Sequence, residues 1–99
     1  MRRKGRTDDN QREIVEALRK AGAVVSVTSS LGKGFPDIVF AHPRLRGAQL
    51  AEIKDGRKPP SAQKLTQDEQ VFHLTWAARG CEVHVIRSVE DVRRILGFA

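Results

Sequence analysis

The pattern of hydrophobic and polar positions predicts three helices. The first covers residues 8–21, where apolar residues recur every three or four positions and a glycine follows. The second begins at Thr66, which is spaced to form a capping box with Glu69, and runs to about Arg79. The third is short and follows Ser88, a residue suited to the helix N-cap.

Between these helices, short apolar runs rich in β-branched residues predict four strands. They cover residues 23–27, 37–41, 48–54 and 82–86. Pro43 and Gly47 separate the second strand from the third, so we expect a hairpin-like connection and antiparallel pairing. The element order α-β-β-β-α-β-α predicts an α/β protein with one mixed sheet flanked by helices.

Length and charge narrow the class of protein. Ninety-nine residues suit one domain, which we place at residues 8–99 after a basic flexible arm at residues 1–7. Eighteen Lys and Arg residues against twelve Asp and Glu residues give a net charge of +6. This charge favours a polyanion such as nucleic acid as partner, and the alternative interpretation is a solubilising surface.

The cysteine and histidine content indicates neither disulfides nor a zinc site. Cys81 is alone and cannot form an internal disulfide, so we expect an intracellular protein with an inert thiol at this position. His42, His73 and His84 lack ligand spacing, and we expect each to be a surface histidine or a hydrogen-bonded core histidine. No apolar run approaches the roughly twenty residues of a membrane span, so we expect no membrane association.

The candidate metal-binding and catalytic residues lie on the two central strands. Strand alternation places Glu52 and Lys54 on one face and Ile53 on the other, and Asp37 opens the neighbouring strand. Two carboxylates and the backbone carbonyl of Ile53 are hard oxygen ligands of the kind that Mg²⁺ prefers. A metal-activated water beside Lys54 suits phosphodiester hydrolysis.

The Pro36-Asp37 pair followed by Glu52-x-Lys54 resembles the PD-(D/E)xK nuclease superfamily, and most of residues 8–96 resembles its VRR-NUC branch. The resemblance implies a restriction-endonuclease-like core and DNA cleavage that depends on Mg²⁺, for which Mn²⁺ can substitute. It also implies that stand-alone members act as homodimers on branched DNA such as Holliday junctions. Two alternatives are a DNA-binding module without catalysis and an RNA or nonspecific nuclease.

The family also places polar residues on its helices. An acid on the first helix matches Asp8, which is otherwise an N-cap, and Gln11 faces the sheet at helical spacing. Gln70 matches a family glutamine on the second helix, and the alternative is an amide on the helix flank.

Basic residues in two loops are candidates for phosphate contacts, with solvated loops as the alternative. They are Lys33 in the glycine-bearing loop before Pro36, and Arg57, Lys58 and Lys64 in the proline-containing loop. The glycine-bearing loop lacks the P-loop pattern, so we expect no nucleotide cofactor.

Overall fold

The computed structural model describes the backbone from residue 5 to residue 98 and the side chains from residue 9 onward. Its helices are α1 (Gly5–Lys20), α2 (Gln67–Ala77) and α3 (Val89–Leu96), and its strands are β1 (Val24–Val27), β2 (Ile38–Ala41), β3 (Gln49–Ile53) and β4 (Val83–Ile86). The order of these elements is the one that the sequence predicts. Among the described helices, none has the length and apolar character needed to span a bilayer.

Two local details differ from the sequence-based expectations. Helix α1 begins at Gly5, three residues before the predicted start at Asp8, because no helix-breaking residue lies between them. Residues 1–4 of the predicted basic arm lie outside the described residues. In the proline-containing loop, a short 3₁₀ helix spans Pro60–Gln63, where a proline is tolerated because the first position of a helix needs no N–H donor.

The four strands form one mixed sheet in the order β1-β2-β3-β4. Strands β1, β2 and β3 pair antiparallel, as predicted for the second and third strands, and Ile38 lies opposite Ala51. Strand β4 pairs parallel with β3, which requires the chain to cross over the sheet, and α2 lies in that crossover. This register determines which side chains share a face.

The hydrophobic core lies on one face of the sheet. Helices α1 and α3 pack there against Ala51, Ile53 and the other inward residues of the strands. The fully or nearly buried members of this core are Ile14, Leu18, Ile38, Phe40, Ala51, Ile86, Val92 and Leu96. Since Glu52 alternates with Ala51 and Ile53, its side chain is on the opposite face, beneath α2.

Helix α2 is fixed at its N-terminus by the predicted capping box. Thr66 Oγ1 accepts a hydrogen bond from the Glu69 N–H at 3.1 Å, and Glu69 Oε1 accepts one from the Thr66 N–H at 2.9 Å. The glycine-bearing loop packs against the same turn of α2. Gly34 has φ +81°, and a Cβ at this position would overlap the Asp68 carbonyl, so the close contact requires glycine. The loop before Asp37 and the start of α2 are therefore in direct contact.

Two of the three histidines satisfy the expectation of a hydrogen-bonded side chain. His42 is buried, with Nε2 2.8 Å from the Ala21 carbonyl oxygen and Nδ1 accepting from the Arg44 N–H. His84 is half-buried, with Nε2 2.8 Å from Gln49 Oε1. These two imidazoles therefore have structural partners.

Candidate active site

Asp37 and Glu52 are neighbours across two strands, as the sequence predicts. Because Ile38 lies opposite Ala51, the antiparallel register continues with Asp37 opposite Glu52. Asp37 Oδ2 accepts a hydrogen bond of 2.8 Å from the Ile53 N–H. In a strand the carbonyl of a residue points to the same side as its N–H, so the Ile53 carbonyl also faces the Asp37 edge.

Glu52 is a buried acid among other acids. It is 2% exposed, and its Oε1 atom has no hydrogen-bond partner. Burial, followed by the charge of Asp37 and the proximity of Glu69, raises the pKa of Glu52 to about 9. The carboxyl group is therefore neutral at pH 7 unless a positive charge enters the site.

Lys54, two residues along the same strand, is held by a residue that sequence reasoning did not select. Its Nζ lies 3.0 Å from Glu69 Oε1, and the two side chains are only 14% and 16% exposed. Burial tends to raise the pKa of Glu69, but the Thr66 N–H and the Lys54 ammonium lower it overall. The sequence feature that could have identified Glu69 as a site residue is the capping box. In this motif the Glu69 carboxylate turns back toward the start of α2.

The expectation that His73 is a surface histidine or a hydrogen-bonded core histidine is wrong. Its Nε2 lies 3.6 Å from Glu52 Oε1, is buried, and has no hydrogen-bond partner. Burial lowers the pKa of His73 from its ordinary value of 6.5, which favours the neutral form of the imidazole. The sequence feature that could have indicated this contact is the spacing of His73, which follows Glu69 by four residues and so lies on the same side of α2.

A cavity of about 160 Å³ lies between α1 and the end of β3. Gln11 lines it together with Lys54, so the structure places Gln11 beside the cluster as expected. Asn10, which sequence reasoning did not select, is 5% exposed and donates a 2.8 Å hydrogen bond from Nδ2 to the Lys54 carbonyl. Asn10 precedes Ile14 by one turn, on the stripe that enters the core. The side chain of Asp8 lies outside the described residues.

The remaining predicted site residues are exposed to solvent. Gln70 is exposed and donates from Nε2 to the Leu65 carbonyl, so the structure does not bring it into the cluster. Arg57 is paired with Asp55, with Nε 3.0 Å from Oδ1, and Lys58 lines the cavity. Lys33 and Lys64 are exposed.

The donor set of this cluster fits a hard divalent cation. Among residues whose side chains are described, no three His, Cys, Asp or Glu side chains form a metal-binding group by themselves. Asp37, Glu52 and the Ile53 carbonyl nevertheless provide oxygen atoms at one strand edge, and Mg²⁺ usually takes few protein ligands and keeps several waters. The buried Glu52 Oε1 without a partner is the observation that indicates a missing positive charge.

Comparison with known proteins identifies the fold. No family model matches the chain, and no curated protein matches it. A solved structure described as a VRR_NUC domain matches with a TM-score of 0.67 and 24% identity, over 92% of this chain and 94% of that chain. The chain has the VRR_NUC fold. The fold that the sequence resemblance implies is therefore confirmed.

The buried Glu52 carboxyl predicts a specific pH dependence of stability without metal. A carboxyl whose pKa is higher in the folded state than its ordinary value near 4.5 stabilises the fold at low pH. That contribution is lost as the pH rises from about 4.5 through about 9. In EDTA, we expect the melting temperature of the wild type to fall more steeply between pH 6 and pH 9 than that of Glu52→Gln, measured by circular dichroism.

A matched control is Glu16→Gln, which changes an exposed glutamate on α1 and is expected to keep the wild-type slope. Parallel curves for the wild type and Glu52→Gln would contradict the assignment of a neutral, buried Glu52.

Proposed function

We propose that this protein is a metal-dependent nuclease that hydrolyses phosphodiester bonds in DNA. The observation that carries the proposal is the buried Glu52 carboxyl opposite Asp37, whose Oε1 atom has no hydrogen-bond partner. The Lys54 ammonium is held on the same strand by Glu69. A nuclease of this kind needs hard oxygen ligands and a nearby cationic side chain at one point. The likeness to a VRR_NUC domain supports the same conclusion.

Asp37, Glu52 and the Ile53 carbonyl would hold Mg²⁺, or Mn²⁺ in its place. When bound, the cation supplies charge stabilisation for the phosphate and lowers the pKa of a bound water. Lys54 is the group that orients the attacking water or offsets charge on the phosphate, and its ion pair with Glu69 keeps the ammonium at the site before substrate arrives. Gln11, on the wall of the adjoining cavity, would contact the same phosphate.

DNA is the proposed substrate because the chain is basic and its exposed lysines lie near the site. The net charge is +6, and neutralised phosphates release counterions when such a protein binds. Lys58 lies on the cavity wall, and Lys33 lies in the loop that packs against the start of α2. We propose these two lysines, together with Arg57 and Lys64, as phosphate contacts, and branched DNA as the preferred structure.

The cleavage assay combines three substrates with three metal conditions. Linear duplex, flap and four-way junction DNA are incubated with Mg²⁺, Mn²⁺ or EDTA, and an RNA duplex is included. We expect cleavage of DNA with either cation and none in EDTA. We expect Lys54→Ala to lower the rate by about a hundredfold or more, because it removes a group that stabilises transition-state charge.

Lys20→Ala is the matched control, because Lys20 is exposed at the last turn of α1. It is expected to cut at nearly the wild-type rate. Equal cutting by Lys54→Ala would overturn the role of Lys54. Binding of DNA without cleavage under any metal condition would favour the DNA-binding module, and faster cutting of RNA would favour the RNA nuclease.

We also propose that two copies of the chain pair through the outer face of α2. Val71 is 54% exposed and Leu74 is 71% exposed on this helix, and exposed apolar patches mark sites of protein–protein contact. Sedimentation velocity is expected to give a dimer for the wild type and a monomer for Leu74→Glu. The control is Leu31→Glu, since Leu31 is 60% exposed but lies outside α2. A monomeric wild type would contradict this pairing.

A further inference from the structure

Two buried polar atoms face each other in the site without a hydrogen bond. Glu52 Oε1 and His73 Nε2 are 3.6 Å apart, and neither has another partner. Hydrogen bonds between nitrogen and oxygen are typically about 2.7–3.2 Å long, so this separation is too large for one. Buried polar atoms are nearly always satisfied, and a pair of unsatisfied atoms at one place calls for a shared explanation.

A cation bound by both atoms would account for their separation. Two ligands that each lie about 2.1 Å from one ion and 3.6 Å from each other enclose an angle of roughly 120° at that ion. Such an angle occurs in four- and five-coordinate sites, and shortening the separation by about 0.6 Å would give the right angle of six-fold coordination. The distance that is too long for a hydrogen bond therefore fits a shared metal ion.

The position of His73 is fixed by packing and does not depend on a bond from its Nε2. The neighbouring Phe72 stacks on Trp76 at a centroid distance of 4.7 Å and meets the edge of Phe35 at 5.3 Å. The capping box at Thr66 and Glu69 fixes the other end of the same helical segment. These contacts set the rotation of α2 and so direct the imidazole toward Glu52.

The imidazole is chemically suited to this role. An imidazole nitrogen offers a lone pair to a cation, and the buried Nε2 of His73 faces Glu52 without a hydrogen bond to any described group. Imidazole nitrogen favours first-row transition cations, whereas Mg²⁺ prefers oxygen donors alone. The acid on the other side, Glu52, is 2% exposed and supplies the negative charge.

We propose that His73 Nε2 is a ligand of the cation held by Glu52, so that the site binds Mn²⁺ and similar first-row transition cations in preference to Mg²⁺. This inference rests on the proposed function. Asp37 lies opposite Glu52, and water would fill the remaining coordination positions.

The test is pulsed electron paramagnetic resonance of Mn²⁺ bound to the full chain. An Mn²⁺ ion with a histidine ligand shows a coupling to ¹⁴N, which changes to a ¹⁵N coupling when the protein is labelled with ¹⁵N-histidine. We expect this coupling in the wild type and in His84→Gln, whose imidazole instead contacts Gln49, and its loss in His73→Gln. We also expect His73→Gln to raise the Kd of Mn²⁺ about tenfold or more, with less than about a threefold change for Mg²⁺.

Two outcomes overturn the inference and leave the proposed function in place. They are a wild-type Mn²⁺ complex that cuts DNA without any histidine coupling, and a coupling that persists unchanged in folded His73→Gln. Failure of the proposed function has a different signature, which is absence of cleavage with any cation. If His73→Gln does not fold, the labelled wild type is compared with His42→Gln and His84→Gln, and loss of the coupling in either variant assigns the ligand elsewhere and overturns the inference.

Discussion

The burial of one carboxyl group beneath helix α2 is the constraint on which the site depends. Glu52 is 2% exposed on a central strand, and desolvation of its charged form raises its pKa to about 9. Asp37 increases this effect, because the sheet register places it directly opposite. A protein that only needed a stable sheet would gain more from an apolar residue at this position. Under the proposed function, a bound cation would offset this electrostatic cost.

The positively charged side of the site is organised by α2. Glu69 uses one oxygen atom both to cap the helix and to hold Lys54, so the start of α2 and the position of the ammonium depend on each other. The packing of Gly34 against Asp68 connects the same helical turn to the loop that leads into Asp37. One helix N-terminus therefore fixes the relative positions of the lysine, the acid that holds it and the chain segment before Asp37.

The sequence was sufficient to predict the elements and the residues that a single strand or strand pair brings together. Alternation placed Glu52 and Lys54 on one face, and the hairpin placed Asp37 beside them. Glu69 and His73 were not predicted as site residues, because their roles depend on how α2 docks on the sheet. Helix α2 has no buried residue, and Val71 and Leu74 are exposed, so its periodicity does not reveal which side faces the sheet.

Calorimetry measures whether a cation replaces a proton on Glu52. Mn²⁺ is titrated into metal-free protein at pH 7.5 in two buffers with different ionisation enthalpies. Because the pKa of Glu52 is about 9 without metal and the His73 imidazole is already neutral, binding is expected to release about one proton per ion in the wild type and close to none in Glu52→Gln. Binding heats that do not depend on the buffer, or equal proton release by Glu52→Gln, would show that the ion does not displace a proton from Glu52.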